Sequence, residues 1–122
     1  MSEAKSIAII DDDASVLDAT ENLVRSYGFK VRKFASAESY LASIGDVRID
    51  CLITDVQMDG ISGIELSQIM RETGVKTPII FITAFPDERI RNRVMAAGAI
   101  GFLGKPFDSK SLIDCIERAL LN

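Results

Sequence analysis

The sequence predicts an α/β fold in which helices cover both faces of one parallel, five-stranded sheet. Short apolar runs alternate with helical patterns five times along 122 residues, which is the order expected of βα units. Most of these runs are continuously apolar, as expected for strands that are buried on both faces. Because no linker or low-complexity tract separates the units, we expect a single domain over residues 1–122.

The first half of the chain contains two βα units. Lys5–Ile10 is mostly apolar and predicts a buried strand, and the helical spacing of the apolar residues after it predicts a helix over Ala14–Tyr27. Lys30–Phe34 is more polar, which favours a strand near the edge of the sheet. Ser36 is a suitable N-cap for a short helix over Ala37–Ile44.

The third and fourth predicted strands are each followed by a polar residue. Cys51–Thr54 precedes Asp55, and the very apolar run Pro78–Ile82 precedes Thr83. Between these strands, apolar residues at helical spacing predict a helix over Ser62–Thr73. Each of these two strands is therefore followed directly by a side chain that could act in a binding or catalytic site.

The last third of the chain completes the alternation. The pattern predicts a helix over Asp87–Ala97, a short strand over Ile100–Leu103 and a final helix that is capped by Asp108 or Ser109 and ends near Leu121. Right-handed crossovers leave few topologies for five such units. Their length suits the flavodoxin-like strand order 2-1-3-4-5.

Composition limits the classes of partner. The chain has 14 basic and 18 acidic residues, a net charge of −4, which argues against direct binding of nucleic acid. It contains no histidine, which excludes histidine-dependent triads and histidine-based zinc sites. Cys51 and Cys115 lie in apolar patterns and are expected to be buried, reduced thiols. The polar N-terminus shows no signal peptide or membrane span, so we expect a cytoplasmic protein without a membrane partner.

Three consecutive acids, Asp11–Asp13, follow the first strand directly. Like charges at a strand end repel one another and raise one another's pKa, so they need water, a cation or a basic side chain nearby. In open parallel sheets, ligands bind beyond the carboxyl ends of the strands. The 2-1-3-4-5 order would bring Asp55, Thr83 and Lys105 to the same rim as these acids.

This set of side chains predicts a particular chemistry. Oxygen ligands are those that Mg²⁺ prefers, and the rim offers no soft ligand for zinc or copper. A carboxylate beside such a cation can attack phosphorus and form an aspartyl phosphate. The cation and a lysine would then neutralise the charge on the transferred group. We therefore expect Mg²⁺ as the cofactor.

Four motifs in the chain also carry a family resemblance. They are Ile-Ile-Asp-Asp-Asp at 9–13, Leu-Ile-Thr-Asp-Val-Gln-Met at 52–58, Phe-Ile-Thr-Ala at 81–84 and Phe-Leu-Gly-Lys-Pro at 102–106. Together, in this order and over the whole chain, they resemble the receiver domain of two-component response regulators. The triple acid and the Asp-x-x-Met stretch are most similar to the FixJ-type branch.

The resemblance implies roles for the residues at the rim. Asp55 would accept the phosphoryl group and Lys105 would pair with it. The implied Mg²⁺ ligands are Asp11, Asp12, Asp55 and the backbone carbonyl of Gln57. Of the two acids after the first strand, Asp12 would be the more direct ligand.

The resemblance also implies a switch. Thr83 and Phe102 would form the switch pair, and the peptide before Pro106 would be cis. Asp13 is expected to be a helix N-cap or a solvated acid rather than a ligand of the cation. Asp59 stands where many members of the family carry proline, which adds a negative charge and predicts an altered Mg²⁺ affinity or loop mobility.

The implied function is a switch rather than an enzyme that turns over external substrates. A sensor histidine kinase would phosphorylate the chain, and the face of the fourth helix, fifth strand and fifth helix would respond. This face would support homodimerisation or would control an effector domain or downstream protein. Ile90, Val94 and Ala97 are candidates for the dimer contact, and some of them must also pack the core.

Two other functions fit parts of the sequence. The first is a receiver-like interaction module that works without phosphorylation, although the complete acidic and lysine set argues against it. The second is a phosphatase related to the haloacid dehalogenases, whose nucleophile follows the first strand in an Asp-x-Asp pattern that Asp11–Asp13 could mimic. Such phosphatases usually need a cap domain, for which this chain is too short. A flavodoxin is disfavoured because the first loop lacks a hydroxyl- and glycine-rich phosphate cradle.

Overall fold

A computed structural model describes residues 4–121. Within that range, five strands alternate with five helices, as predicted. The elements are β1 (Ser6–Ile10), α1 (Ala14–Ser26), β2 (Lys30–Phe34), α2 (Ala37–Ser43), β3 (Cys51–Asp55), α3 (Gly63–Glu72), β4 (Ile79–Thr83), α4 (Glu88–Ala96), β5 (Gly101–Gly104) and α5 (Ser109–Leu120). Residues 1–3, which form most of the N-terminal stretch expected to contain no signal peptide, lie outside the described residues, as does residue 122.

The five strands form one parallel sheet in the order β2-β1-β3-β4-β5, which confirms the predicted flavodoxin-like topology. The more polar β2 lies at an edge, as its composition predicts. Because all strands are parallel, their carboxyl ends meet at one rim: Ile10 pairs with Thr54, and Thr83 pairs with Gly104. The segments that carry the candidate residues therefore leave the sheet side by side.

Four strands differ from the prediction by one residue at one or both ends, and the first of them, β1, begins at Ser6 rather than Lys5. Asp55 is the last residue of β3 because it pairs with Ile82, and Thr83 is the last residue of β4 because it pairs with Gly104. Strand β4 begins at Ile79 rather than Pro78, and β5 is shifted to Gly101–Gly104. Asp55 and Thr83 are thus held by pairing with neighbouring strands and do not belong to the loops that follow.

The pleat of β1 shows how the sheet divides the core. Ile7 and Ile9 point into a cluster with α1 and α5, whereas Ala8 and Ile10 point into a cluster with α2 and α3. Both clusters are closed to solvent at β1, where these four side chains are 0% exposed. Helices on both faces of a parallel sheet are the expected consequence of βα crossovers.

Side-chain caps fix where the helices begin. Asp13, Ser36 and Asp108 are N-caps of α1, α2 and α5, which confirms three sequence predictions. Ser62 was predicted inside the third helix but is its N-cap: it accepts from Glu65 N–H and Glu65 accepts from Ser62 N–H. This reciprocal capping box explains the later start of α3.

The cysteines and the fourth helix settle two smaller expectations. Cys51 and Cys115 are both buried and free, and burial raises the pKa of the Cys51 thiol to about 12.

Val94 is fully buried in a cluster with Phe81, so its proposed place on a dimer surface is wrong. Ile90 is only partly buried against that cluster. Within residues 4–121, no helix has the length and apolar composition needed to cross a membrane.

Candidate functional site

Three of the predicted carboxylates converge at the carboxyl rim of the sheet. Asp11 and Asp12 follow β1 and Asp55 ends β3, and each offers one oxygen within 4.8 Å of the others. Asp11 is 0% exposed and Asp55 is 6% exposed, whereas Asp12 faces solvent. The site therefore combines two buried acids with one that an ion can reach from water.

Lys105, after β5, joins the two buried acids. Its Nζ lies 2.8 Å from Asp11 Oδ2 and 2.9 Å from Asp55 Oδ2. Below, the site cluster means Asp11, Asp12, Asp55 and Lys105. The lysine reduces the repulsion between the buried acids, because it places one positive charge between two negative charges that have little water around them.

The loops after β1 and β3 orient the buried carboxylates in the same way. Asp11 Oδ1 accepts from Asp13 N–H at 2.9 Å, and Asp55 Oδ1 accepts from Gln57 N–H at 3.2 Å. Each acid thus gives one oxygen to a backbone N–H two residues later and the other to Lys105. This is the Asx turn that aspartate favours at the end of a strand, so local geometry and the site reinforce each other.

The pKa values of the buried pair follow from burial and charge. Burial raises the pKa of Asp55 above the ordinary range of aspartate; hydrogen bonding to Lys105 opposes this, and the charge of Asp11 adds to it. For Lys105, burial works against the ammonium, but the hydrogen bonds and charges of the two acids prevail and raise its pKa. The ammonium form is thus stabilised, whereas ionised Asp55 is costly.

Contacts that the sequence did not reveal hold the loop after β3. Asp59 N–H donates to Asp12 Oδ2 at 3.3 Å, a contact that a proline at this position could not make. A Cβ at Gly63 would clash with the carbonyl oxygen of Asp55, so glycine lets α3 approach the end of β3. The Gly-x-x-Gly stretch of residues 60–63 was a possible signal for this approach, but the sequence supports a simple turn equally well.

The proposed switch residues lie on neighbouring strands. Thr83 is fully buried at the end of β4, and its hydroxyl accepts from Phe85 N–H at 3.1 Å. Its carbonyl accepts from Lys105 N–H at 2.7 Å, which ties it to the site cluster. Phe102 on β5 is half-buried and packs against the cluster of Phe81 and Val94.

Two other implied features have clear positions. The peptide between Lys105 and Pro106 is cis, as the resemblance implied. Gln57 follows Asp55 at the rim with its side chain exposed, and its N–H is bound to Asp55. Asp13 caps α1 and lies outside the group of three converging carboxylates, in agreement with the prediction for it.

The donor set decides which cation the site fits. Three carboxylate oxygens meet at a partly open rim without a thiol or an imidazole among them. Hard oxygen ligands and access for water suit Mg²⁺, whereas zinc and copper prefer nitrogen and sulfur. The residues present therefore fit a magnesium site, with Lys105 as a competing positive charge.

The sequence model of one family, described as the response regulator receiver domain, matches residues 7–117. The chain belongs to this family. Receiver domains generally use Mg²⁺ at an acidic pocket, and this receiver domain has the carboxylates for one. Members of the family are signalling proteins of two-component systems rather than enzymes that turn over substrates.

Individual relatives support the same placement. The receiver domain is 41% identical over 114 residues to the response regulator protein TmoT of Ectopseudomonas mendocina, covering 93% of this chain and 52% of TmoT. It is 36% identical to the transcriptional regulatory protein FixJ of Bradyrhizobium diazoefficiens, covering 93% of this chain and 56% of FixJ. The chain thus spans about half the length of these relatives.

A solved structure agrees with the similarity in sequence. The crystal structure of FixJ-N superimposes with a TM-score of 0.91 at 34% identity, covering 99% of this chain and 97% of FixJ-N. The resemblance to the FixJ-type branch is therefore confirmed both in sequence and in fold.

Proposed function

We propose that this receiver domain accepts a phosphoryl group on Asp55 from the phosphohistidine of a sensor histidine kinase. The observation that supports this best is the site cluster itself. Lys105 lies within 2.9 Å of Asp55, and both Asp11 and Asp12 present oxygens to the same small volume. A nucleophile, a cation site and a fixed positive charge are the parts that phosphoryl transfer needs.

Phosphoryl transfer to Asp55 forms one bond and breaks another. A carboxylate oxygen of Asp55 attacks phosphorus, and the bond between phosphorus and the imidazole nitrogen breaks as the new P–O bond forms. The imidazole nitrogen keeps the bonding pair and takes a proton from solvent. Lys105 has three N–H donors, so it can bind a phosphoryl oxygen while it still donates to Asp11.

The residues that would hold the cation are Asp11, Asp12, Asp55 and the backbone carbonyl of Gln57. Mg²⁺ held by these residues would supply positive charge to the phosphoryl oxygens. Asp12, which is exposed, gives the ion a route from solvent, and the buried Asp11 is held in place by Asp13 N–H. The protein itself contributes orientation and charge.

The response would start at Thr83. Its hydroxyl is free to donate, because in the present contact it accepts from Phe85 N–H. Donation to a phosphoryl oxygen would draw the hydroxyl toward Asp55 and leave space behind it, into which the half-buried ring of Phe102 can turn. This pair would couple phosphorylation to the face of α4, β5 and α5.

That face offers side chains for a homodimer or for contact with an effector domain. Met95 is 45% exposed on α4, whereas Ile90 and Ala97 are half-buried. Val94 is excluded because it packs in the core. The longer relatives make an effector domain an alternative occupant of the same face, and oligomer size separates the two cases.

The test uses acetyl phosphate or beryllofluoride with Mg²⁺ on the wild type and on Asp55→Asn. We expect the wild type to gain one phosphoryl mass and to change in oligomer size, and D55N to do neither. A wild type that gains no phosphoryl mass and shows no response to beryllofluoride would remove the proposal. Turnover of a small phosphate ester would favour the phosphatase, and partner binding unchanged by D55N would favour the phosphorylation-independent module.

A further inference from the structure

The loop between β3 and α3, residues 56–62, is held by carboxylates on two sides. Asp59 N–H donates to Asp12 Oδ2 at 3.3 Å on the side of the site cluster. Two residues later, Ile61 N–H donates to Glu38 Oε2 at 3.4 Å, and Glu38 belongs to the first turn of α2. Helix α2 therefore contacts the same short loop whose backbone reaches the candidate cation site.

The turn between these two contacts is shaped around Glu38. Gly60 has a φ of +77°, a backbone conformation that residues other than glycine rarely adopt. A Cβ at this position would also clash with Glu38 Oε2, so the carboxylate lies directly against the turn. Met58 and Ile61 pack against a core cluster that contains Ala37 of α2. Apolar contacts and one acceptor thus join the loop to the helix.

We infer that Glu38 is a positioning residue for the cation site. From α2 it fixes the turn at Gly60 and Ile61, and the turn fixes the backbone of Gln57 and Asp59 beside Asp12. Glu38 itself lies outside the group of three carboxylates that converge on the site. The inference rests on the proposed function, because it assumes that this group binds Mg²⁺.

A second role has to be separated from positioning. Glu38 carries a negative charge, which would attract a cation over a distance without any effect on the loop. Two conservative variants distinguish these roles. Glu38→Gln removes the charge but keeps an acceptor oxygen at the same reach, and Glu38→Asp keeps the charge but shortens the side chain by one methylene.

The experiment measures two properties of the full chain by NMR. The first is the rate of amide exchange at Ile61 without metal, and the second is the Mg²⁺ dissociation constant from amide shifts. For E38A and E38D we expect exchange and the dissociation constant to rise about five-fold, the scale of one lost hydrogen bond. For E38Q we expect both to remain within about two-fold of the wild type, because its amide oxygen can still accept from Ile61 N–H.

Each other result contradicts the inference in its own way. If E38Q weakens Mg²⁺ binding and E38D does not, Glu38 acts by charge and not by position. If the wild type binds Mg²⁺ and E38A binds it equally well, this inference fails while the proposed function stands. If the wild type shows no Mg²⁺ response, the cation site does not exist, and both this inference and the proposed function fail. Glu38 is exposed, and circular dichroism of each variant checks that the fold is kept.

Discussion

Within residues 4–121, lysine and carboxylate groups meet in two regions of this receiver domain. One is the site cluster at the carboxyl ends of the strands. The other, the edge cluster, consists of Lys33 on β2 with Asp18 and Glu21 on α1. In both, a lysine Nζ lies between two acids, at 2.8 and 2.9 Å in the site cluster and at 2.9 and 3.0 Å in the edge cluster. Distance alone does not distinguish them.

Burial distinguishes the two clusters, and it reverses the direction in which the pKa of an acid shifts. The Asp11 and Asp55 side chains are 0% and 9% exposed, whereas those of Asp18 and Glu21 are 64% and 18% exposed. At the edge, hydrogen bonds from Lys33 lower the pKa of Glu21. At the site, burial raises the pKa of Asp55 even though Lys105 opposes it. The same geometry therefore gives a relaxed surface network in one place and a poised, electrostatically costly site in the other.

The largest expected difference comes from removing each lysine. Lys105→Met leaves two buried carboxylates without their shared cation, and loss of one partner of a buried pair costs about 3 kcal/mol. Lys33→Met removes two ion pairs at the surface, whose contribution is small. Urea unfolding without metal would measure both free energies of unfolding.

This comparison has an internal check. Mg²⁺ should restore part of the stability of K105M, because the ion can supply positive charge to the same acids, and it should leave K33M unaffected. Equal losses in K105M and K33M would show that burial does not separate the two clusters.

Much of this contrast could be predicted from the sequence, because it depends on register. The apolar runs and the strand order place Asp11, Asp55 and Lys105 at one rim, and the structure agrees. The cap at Asp13 was equally predictable, since an acid before an amphipathic pattern favours an N-cap. The positions of these residues follow from the regular periodicity of the sequence and from the parallel pairing of the strands.

The contacts around the loop after β3 could not be predicted in the same way. Glu38 meets Ile61 across 23 positions of sequence, and Asp59 meets Asp12 across 47. Both contacts use backbone N–H groups, which leave no trace in residue type. Strand ends were missed by one residue at Asp55 for a related reason, because ladder pairing with a neighbouring strand, and not side-chain polarity, decides where a strand stops.

The second prediction concerns the cost of ionised Asp55. A raised folded-state pKa means that its contribution to stability is present below the unfolded pKa of about 3.9 and is lost as pH rises through the folded value. The wild type therefore loses stability as the pH rises above the unfolded value, whereas asparagine does not titrate. We expect Asp55→Asn to be more stable than the wild type at pH 7, by on the order of 1 kcal/mol.

The advantage of D55N should shrink as pH falls toward 4, which urea unfolding at several pH values would show. Asp18→Asn in the edge cluster is the matched control and should give no such advantage at pH 7. A D55N that is less stable than the wild type at pH 7 would mean that the Lys105 contact outweighs burial.

The third prediction tests the backbone contact to Asp12. Asp59→Pro removes both a charge and the N–H that Asp12 accepts, whereas Asp59→Ala removes the charge alone. Because the N–H orients Asp12, we expect D59P to raise the Mg²⁺ midpoint about three-fold above that of D59A. Amide shifts during a Mg²⁺ titration would measure both midpoints, and equal midpoints would show that the N–H has no part in cation binding.

The smallest expected effect separates the two clusters by salt. The Debye length is about 3 Å at 1 M ionic strength, so charges in water are strongly screened whereas buried charges are not. Any difference in the free energy of unfolding between the wild type and Lys33→Met should vanish between 0.1 and 1 M sodium chloride, while the loss in Lys105→Met persists. Urea titrations of the three proteins at both salt concentrations would show this. If salt reduced the two differences in equal proportion, the site cluster would be as hydrated as the edge cluster, and the raised pKa of Asp55 would need a cause other than burial.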